Sequence, residues 1–76
     1  MITKQIISII ENQIKLPKNS ITKNTNINNI KYWDSLNHAT IISLIENYFK
    51  ITFEIDEMFD FETINDITIT VKSKIN

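Results

Sequence analysis

The residue types best suited to chemistry in this 76-residue chain stand together at Asp34-Ser35-Leu36, with His38 three residues after the serine. A carboxylate, a hydroxyl and an imidazole are the groups of a hydrolase triad, and positions 35 and 38 share one face of a helix. However, adjacent Asp34 and Ser35 cannot form the usual relay, and the chain has no glycine to build a nucleophile elbow. The pattern therefore argues against a hydrolase.

Phosphate chemistry suits the same segment better. Asp34 is a favourable N-cap residue, and an apolar stripe with helical spacing follows it. Ser35 then lies in the first helical turn, where unpaired N–H groups and the helix dipole favour a negatively charged substituent such as a phosphodiester. The alternative is an ordinary solvent-facing serine, which is common at helix starts.

A second group of ionisable residues lies near the C-terminus, in a stretch without any basic residue. It consists of Glu54, Asp56, Glu57, Asp60, Glu62 and Asp66. Metal ligation by residues 56, 57 and 60 would lack the spacing and the glycine of an EF-hand, so at most weak cation binding is expected. The stretch is either a surface that steers a basic partner or a solvated acidic face.

Composition excludes several other classes of function. The chain has no glycine, no cysteine and one histidine, which removes glycine-rich phosphate loops, disulfides and thiolate or multi-histidine metal sites. A small helical DNA-binding domain is disfavoured, because there is no arginine and residues 34–76 carry eight acids against three lysines. We expect no nucleic acid partner.

Length and hydropathy predict one small folded domain over residues 1–76. Hydrophobic residues make up 42% and charged residues 22%, which is close to globular usage. The N-terminal isoleucines are interrupted by polar residues and give no run long enough for a signal peptide or a membrane span. We therefore expect a cytoplasmic protein without membrane insertion.

Apolar spacing predicts two helices in the N-terminal two thirds of the chain. The first covers residues 2–16, where Pro17 ends it. The segment 18–33 is a long loop whose only aliphatic side chains, Ile21, Ile27 and Ile30, are expected to hold it down. The second helix covers residues 35–49 and carries an apolar stripe. The stripe comprises Leu36, Ala39, Ile42, Ile45 and Phe49.

The remaining segment fits two secondary structures. Apolar residues alternate with polar ones over 51–55 and 67–71, which is typical of strands. Thr63 and Asp66 form a capping-box pattern, which predicts a helix. Helical spacing of four apolar residues predicts the same, and they are Ile64, Ile67, Val71 and Ile75. Two strands would make at most a marginal hairpin, so we favour an all-helical chain.

Taken together, these features resemble acyl carrier proteins. The resemblance rests on the first helix, the long loop, Asp34-Ser35-Leu36, a second helix ending in Tyr48-Phe49, an acidic segment over 56–60, and Thr63-Ile64-Asn65-Asp66-Ile67 opening the last helix. It covers nearly the whole chain. It implies an all-α four-helix bundle with a long loop after the first helix and a short third helix near 56–60.

The resemblance also implies a function. In that family a phosphopantetheinyl transferase attaches phosphopantetheine from coenzyme A to the serine that corresponds to Ser35, and the thiol of the arm holds an acyl or aminoacyl thioester. The protein would then be a monomeric, non-catalytic carrier served by an acyl-activating ligase and an acyltransferase or ketosynthase. The alternative is an unmodified helical interaction module related to carriers.

The second helix departs from carriers of fatty acid synthesis, which usually place acids along it. Asn37, Thr40 and Asn47 occupy such positions, and Glu46 is the main carboxylate left. Trp-Asp-Ser-Leu-Asn-His, over 33–38, instead resembles stand-alone carriers of specialised pathways. We therefore expect a specialised pathway rather than fatty acid synthesis.

The family likeness also implies partner contacts and a cargo slot. The residues expected to meet partners are Asp34, Leu36, Asn37, His38, Glu46 and Met58, with His38 as an exposed polar residue. Some residues of one apolar set, above all the flexible Met58, would line the slot, and the alternative is that the whole set is core. The set comprises Ile42, Ile45, Phe53, Met58, Phe61 and Ile67. Because two phenylalanines can fill the slot, we expect a short or polar cargo.

Overall fold

The computed structural model describes residues 1–75, in which the chain forms four α-helices and no strand. The helices are α1 (Ile2–Ile14), α2 (Ser35–Phe49), α3 (Ile55–Asp60) and α4 (Ile64–Ile75), and a 3-10 helix (Ile27–Asn29) interrupts the long loop. The expected all-α four-helix architecture is confirmed, with its long loop and short third helix.

The first helix ends earlier than predicted. Lys15 adopts a left-handed conformation (φ 64°), and the N–H of Leu16 donates to the Glu11 carbonyl at 2.9 Å. The chain therefore leaves the helix two residues before Pro17, and the prediction of a helix to residue 16 was wrong. The second helix has the predicted bounds and ends in the same way, with Lys50 at φ 59°.

The ambiguous C-terminal segment is helical. Asp66 Oδ2 accepts the N–H of Thr63 at 3.0 Å, and Thr63 Oγ1 accepts the N–H of Asp66 at 3.2 Å, which confirms the capping pattern. The helix that follows buries Ile64, Ile67 and Val71 on one face, which an alternating strand pattern would not do. Ile75, the last residue of the predicted stripe, is exposed instead. Burial on a helical face has overridden the β-propensity of its isoleucines, threonines and valine.

The core lies where α1 packs against α2 and α4. Its fully buried aliphatic side chains are Ile6, Ile10, Ile41, Ile45, Ile64, Ile67 and Val71. The predicted stripe of α2 needs correction, because Ala39 is exposed whereas Ile41, which was not assigned to it, is buried. Leu36 is exposed, as its expected place at the partner surface requires. The buried face of α2 is therefore centred one residue away from the expected stripe.

The long loop is tied to the turn between α3 and α4. Its three isoleucines are buried, as predicted. Asn26 pairs with Thr63 in an isolated antiparallel bridge, and the N–H of Ile27 donates to the Glu62 carbonyl at 2.8 Å. These contacts fix the path of the chain into Trp33 and the start of α2. Over residues 1–75, the helices are all too short or too polar to cross a membrane.

Candidate functional site

Ser35 is the first residue of α2, and its side chain is exposed. Asp34 caps the helix as predicted: its Oδ1 accepts the N–H of Asn37 at 2.8 Å and its carbonyl accepts the N–H of His38 at 2.8 Å. The N–H groups of Ser35 and Leu36 have no acceptor within the helix, because they come before its first intrahelical hydrogen bond. The serine hydroxyl therefore stands in solvent beside free backbone donors at a helix N-terminus.

Asn37 holds the segment that leads into the helix. Its Nδ2 donates to the Tyr32 carbonyl at 2.7 Å, and its Oδ1 accepts from Gln13 of α1 at 3.3 Å. Tyr32 adopts a left-handed conformation, with φ 72°. Asn37 is half-buried, so it positions the serine segment against α1, and its partner role stays a prediction.

His38 connects the serine segment to α3. Its Nδ1 accepts the indole N–H of Trp33 at 3.0 Å, and its Nε2 lies 2.9 Å from the carbonyl oxygen of Met58. A neutral ring with its proton on Nε2 satisfies both bonds. The ring is half-buried, so the expectation of an exposed histidine was wrong.

The same bonds rule out the triad arrangement. Both ring nitrogens of His38 are engaged by Trp33 and Met58, and the Asp34 carboxylate is engaged by the backbone of α2. A triad needs the histidine between the acid and the hydroxyl. The three residues therefore form a helix start with a structural histidine.

An open cleft of about 860 Å³ begins at Ser35 and runs between α2 and α3. The residues that line it are Ile27, Asn28, Trp33, Asp34, Ser35, His38, Ala39, Ile42, Ser43, Glu46, Ile55, Met58, Phe59 and Phe61. Most of the wall area is apolar, and a few polar groups lie along it. The cleft is large enough for a flexible arm and a small attached group.

Half of the predicted slot residues line this cleft. Ile42, Met58 and Phe61 do so, whereas the other three lie in the packed core. The ring centroids of Phe53 and Phe61 are 5.4 Å apart in an edge-to-face contact. For Ile45, Phe53 and Ile67 the structure agrees with the alternative interpretation as core residues, because side chains from α1, α4 and the loop fill the space among them.

Glu46, expected at the partner surface, has a structural bond. Its Oε2 accepts the N–H of Phe53 at 2.9 Å and so joins the end of α2 to the segment before α3. One residue of the acidic stretch, Glu57, also has structural partners. Its carboxyl accepts the Glu54 N–H and lies 2.9 Å from the Lys74 ammonium, and both groups lower the pKa of this carboxyl. Across residues 1–75, no three histidine or carboxylate side chains converge to hold a metal ion.

Exposed apolar side chains flank the cleft close to the serine. Leu36 is 76% exposed on α2, and Ile55 and Phe59 are 66% and 81% exposed on α3. Sequence reasoning missed the last two. Residue 55 was assigned to a possible strand, and Phe59 lies in the segment 56–60, which was interpreted only as acidic. Their spacing of four residues in a short acidic helix is the signal that would have shown a shared face.

The geometry fits a covalent phosphate-linked arm. The hydroxyl of Ser35 is accessible, the first helical turn favours an anion, and the apolar cleft begins at the same residue. A family model described as the phosphopantetheine attachment site matches residues 4–71.

The chain belongs to this family. Proteins of this carrier family hold a phosphopantetheine group on a serine, so phosphopantetheine is the cofactor of this domain and the predicted acyl carrier family is confirmed. Carrier domains meet phosphopantetheinyl transferases and biosynthetic enzymes. No significant match was found among curated proteins or among solved structures.

Proposed function

We propose that Ser35 is the attachment serine and that the protein carries acyl or aminoacyl groups as thioesters. The observation that supports this most directly is the accessible Ser35 hydroxyl at the N-terminus of α2, next to the cleft. All five serines lie in the described residues, and the other four are inside helices or in the loop. Ser35 alone among them begins a helix.

The local electrostatics suit the modified serine. Once the Ser35 oxygen is esterified, the phosphodiester adds a negative charge at the first turn of α2, where the helix dipole is favourable. Asp34 adds a second negative charge, but its Oδ1 is already held by the Asn37 N–H. The free N–H groups of the first turn remain for the phosphate.

We propose a non-catalytic carrier. The arm supplies a thiol that holds the cargo as a thioester. Around it, the side chains of Asp34, Asn37 and His38 are engaged in hydrogen bonds that shape the serine segment. Their role is to present the arm, and the enzymes that load and unload it supply the catalytic groups.

We propose a specialised pathway, with an acyl-activating ligase and an acyltransferase or ketosynthase as partners. Leu36, Phe59 and Ile55 give the rim of the cleft an apolar character, and Asn37 and Thr40 stand where fatty acid carriers usually have acids. This composition favours partners whose docking surface is apolar at its centre and basic toward the acids of α3. Asp34 and Met58 stay in the proposed contact surface.

We propose a short or polar cargo that lies in the cleft, because two phenylalanines fill the apolar space that a longer chain would need. Phe53 and Phe61 close the space beneath α3, and Ser43 and Glu46 add polar groups to the wall. A long chain would have to displace packed core side chains, which is costly.

We also propose that residues 1–76 form one carrier domain that acts as a monomer. We place it in the cytoplasm, because coenzyme A donates the arm there.

The test is the intact mass of the protein after incubation with coenzyme A and a broad-specificity phosphopantetheinyl transferase. Wild type and Ser43→Ala should each gain one arm, and Ser35→Ala should gain none while keeping its helical circular dichroism. Ser43 is the matched control, because it also lines the cleft on α2. An arm on Ser35→Ala would refute the assignment. No arm on wild type, with the transferase active on another carrier, would favour the unmodified interaction module.

A further inference from the structure

We propose that His38 is a positioning residue that holds α3 and Trp33 as the two walls of the cleft at its serine end, and so shelters the thioester. The proposal rests on the proposed function of Ser35. It concerns the hydrogen-bond chain from the Trp33 indole through the His38 ring to the Met58 carbonyl, here called the Trp33–His38–Met58 bridge. All three residues line the cleft.

The bridge crosses from one side of the cleft to the other. Trp33 lies in the segment before α2, His38 is on the first turns of α2, and Met58 is on α3. The ring centroids of Trp33 and His38 are 5.8 Å apart, so the pair also packs as a wall. One side chain thus sets the distance between the serine segment and the opposite helix.

The helix α3 has few other anchors. Within α3, which the structure describes in full, no residue is fully buried. It is fixed at its ends by Phe53 and Phe61, which are buried just outside the helix, and on its far side by the ion pair of Glu57 with Lys74. This half-buried surface pair contributes modestly to stability. The bond from Glu46 reaches only the Phe53 N–H, in the segment before α3. Among the described residues, the bond from His38 is the side-chain hydrogen bond that joins α2 to α3 itself.

The two bonds can be separated by substitution. A glutamine at position 38 places its amide N–H near the position of Nε2 and so can donate to the Met58 carbonyl. An asparagine places its amide oxygen near the position of Nδ1 and so can accept from Trp33, but it is too short to reach α3. His38→Gln and His38→Asn each keep one half of the bridge, and His38→Ala keeps neither.

The first experiment uses the unmodified protein and measures amide hydrogen exchange in α3 by NMR. His38→Ala and His38→Asn should speed exchange at Met58 and Phe59 by roughly fivefold, the effect of losing about one hydrogen bond, and His38→Gln should stay near wild type. The fluorescence emission of Trp33, the only tryptophan, should report the other bond. His38→Asn should have an emission spectrum near that of wild type, and His38→Gln one near that of His38→Ala. Thr40→Ala, whose hydroxyl bonds only within α2, is the control and should change neither.

The second experiment loads the arm with a short acyl group and measures thioester hydrolysis. The thioester on His38→Ala should hydrolyse several-fold faster than that on wild type. The thioesters on His38→Gln and His38→Asn, which each keep one half of the bridge, should hydrolyse at rates between the two. Equal exchange in α3 for all variants, or equal thioester lifetimes despite faster exchange, would overturn the proposal, the latter by leaving His38 a purely structural role. If the proposed attachment of the arm at Ser35 is wrong, this shows separately, because wild type then gains no mass before any acyl group is loaded.

Discussion

Thr63 and Asp66 cap each other's backbone: the Asp66 carboxylate accepts the Thr63 N–H at 3.0 Å, and the Thr63 hydroxyl accepts the Asp66 N–H at 3.2 Å. Asp66 also accepts the Glu62 N–H at 2.9 Å. The reciprocal pair starts α4 at the point where the long loop pairs with the chain. We expect Thr63→Ala to lower the free energy of unfolding by about 1 kcal/mol. Urea denaturation would measure this, with Thr52→Ala in the segment before α3 as an exposed control.

The same cap predicts a pH dependence. Backbone N–H groups of Thr63 and Glu62 hold the pKa of the Asp66 carboxyl below its ordinary value. Its stabilising contribution is complete above the ordinary carboxyl pKa of about 3.9 and is lost as pH falls through the lower folded value. Asp66→Asn should therefore weaken the loss of stability between neutral pH and about pH 3. Urea midpoints at the two pH values test this. Thr52→Ala, which removes no ionisable group, should keep the wild-type dependence, and an unchanged dependence in Asp66→Asn would contradict the prediction.

Replacing Lys50 with glycine should stabilise the protein. Lys50 ends α2 in the left-handed region at φ 59°, which costs a residue with a Cβ about 1 kcal/mol more than glycine. Lys50→Gly should raise the thermal midpoint by a few degrees. Lys72→Gly, inside α4, is the matched control and should lower it, because glycine is unfavourable in a helix. Destabilisation by Lys50→Gly would mean that the lysine side chain has a contact of its own at this position.

The apolar rim predicts which substitutions weaken partner docking. Phe59→Ser and Leu36→Ser should raise the KM for the phosphopantetheinyl transferase several-fold and leave the melting temperature nearly unchanged, because both side chains are largely exposed. Ile69→Ser is the control, because Ile69 is exposed on α4 and does not line the cleft. Kinetics at varied carrier concentration would separate KM from kcat. Equal effects of all three substitutions would contradict a docking surface at the rim.

The size of the cleft predicts where a cargo lies. A short acyl group on the arm should shift the NMR methyl signal of Ile42, which lines the cleft, and leave those of Ile45 and Ile67 unchanged in the core. A long acyl chain should stay in solvent and hydrolyse at the rate of a model thioester. Large shifts at Ile45 and Ile67 with a long chain would show that the core opens for it, against the prediction.

The parts of this fold that follow from the sequence are those with a local cause. The N-cap at Asp34 and the capping box at Thr63 and Asp66 depend on residues within one helical turn, and both were predicted. The end of α1 was not, because the usual marker of such an end is glycine and Lys15 takes its place. For residues 67–71 the local pattern fitted both a strand and a helix, and burial against α1 decides between them.

In the candidate site, too, the features with a local cause were predicted and those that depend on distant parts of the chain were not. Ser35 was assigned from its neighbours along the chain, and its attachment role stays a prediction, whereas its exposed place at the start of α2 is shown. The bridge from Trp33 through His38 to Met58 joins three segments that meet only after folding, so sequence spacing offered no sign of it. Glu46 was read as a free surface carboxylate for the same reason, since its partner, the Phe53 N–H, lies beyond the end of its helix.

The pairing of the long loop with the turn before α4 also bears on the order of folding. Asn26 and Thr63 are far apart along the chain, so their bridge closes a large loop, whereas the four helices form from local contacts. We expect the helices to form before this closure. The segment that carries Trp33 and Asp34 would then gain its final shape late, and the proposed attachment site at Ser35 would become competent only on the fully folded protein.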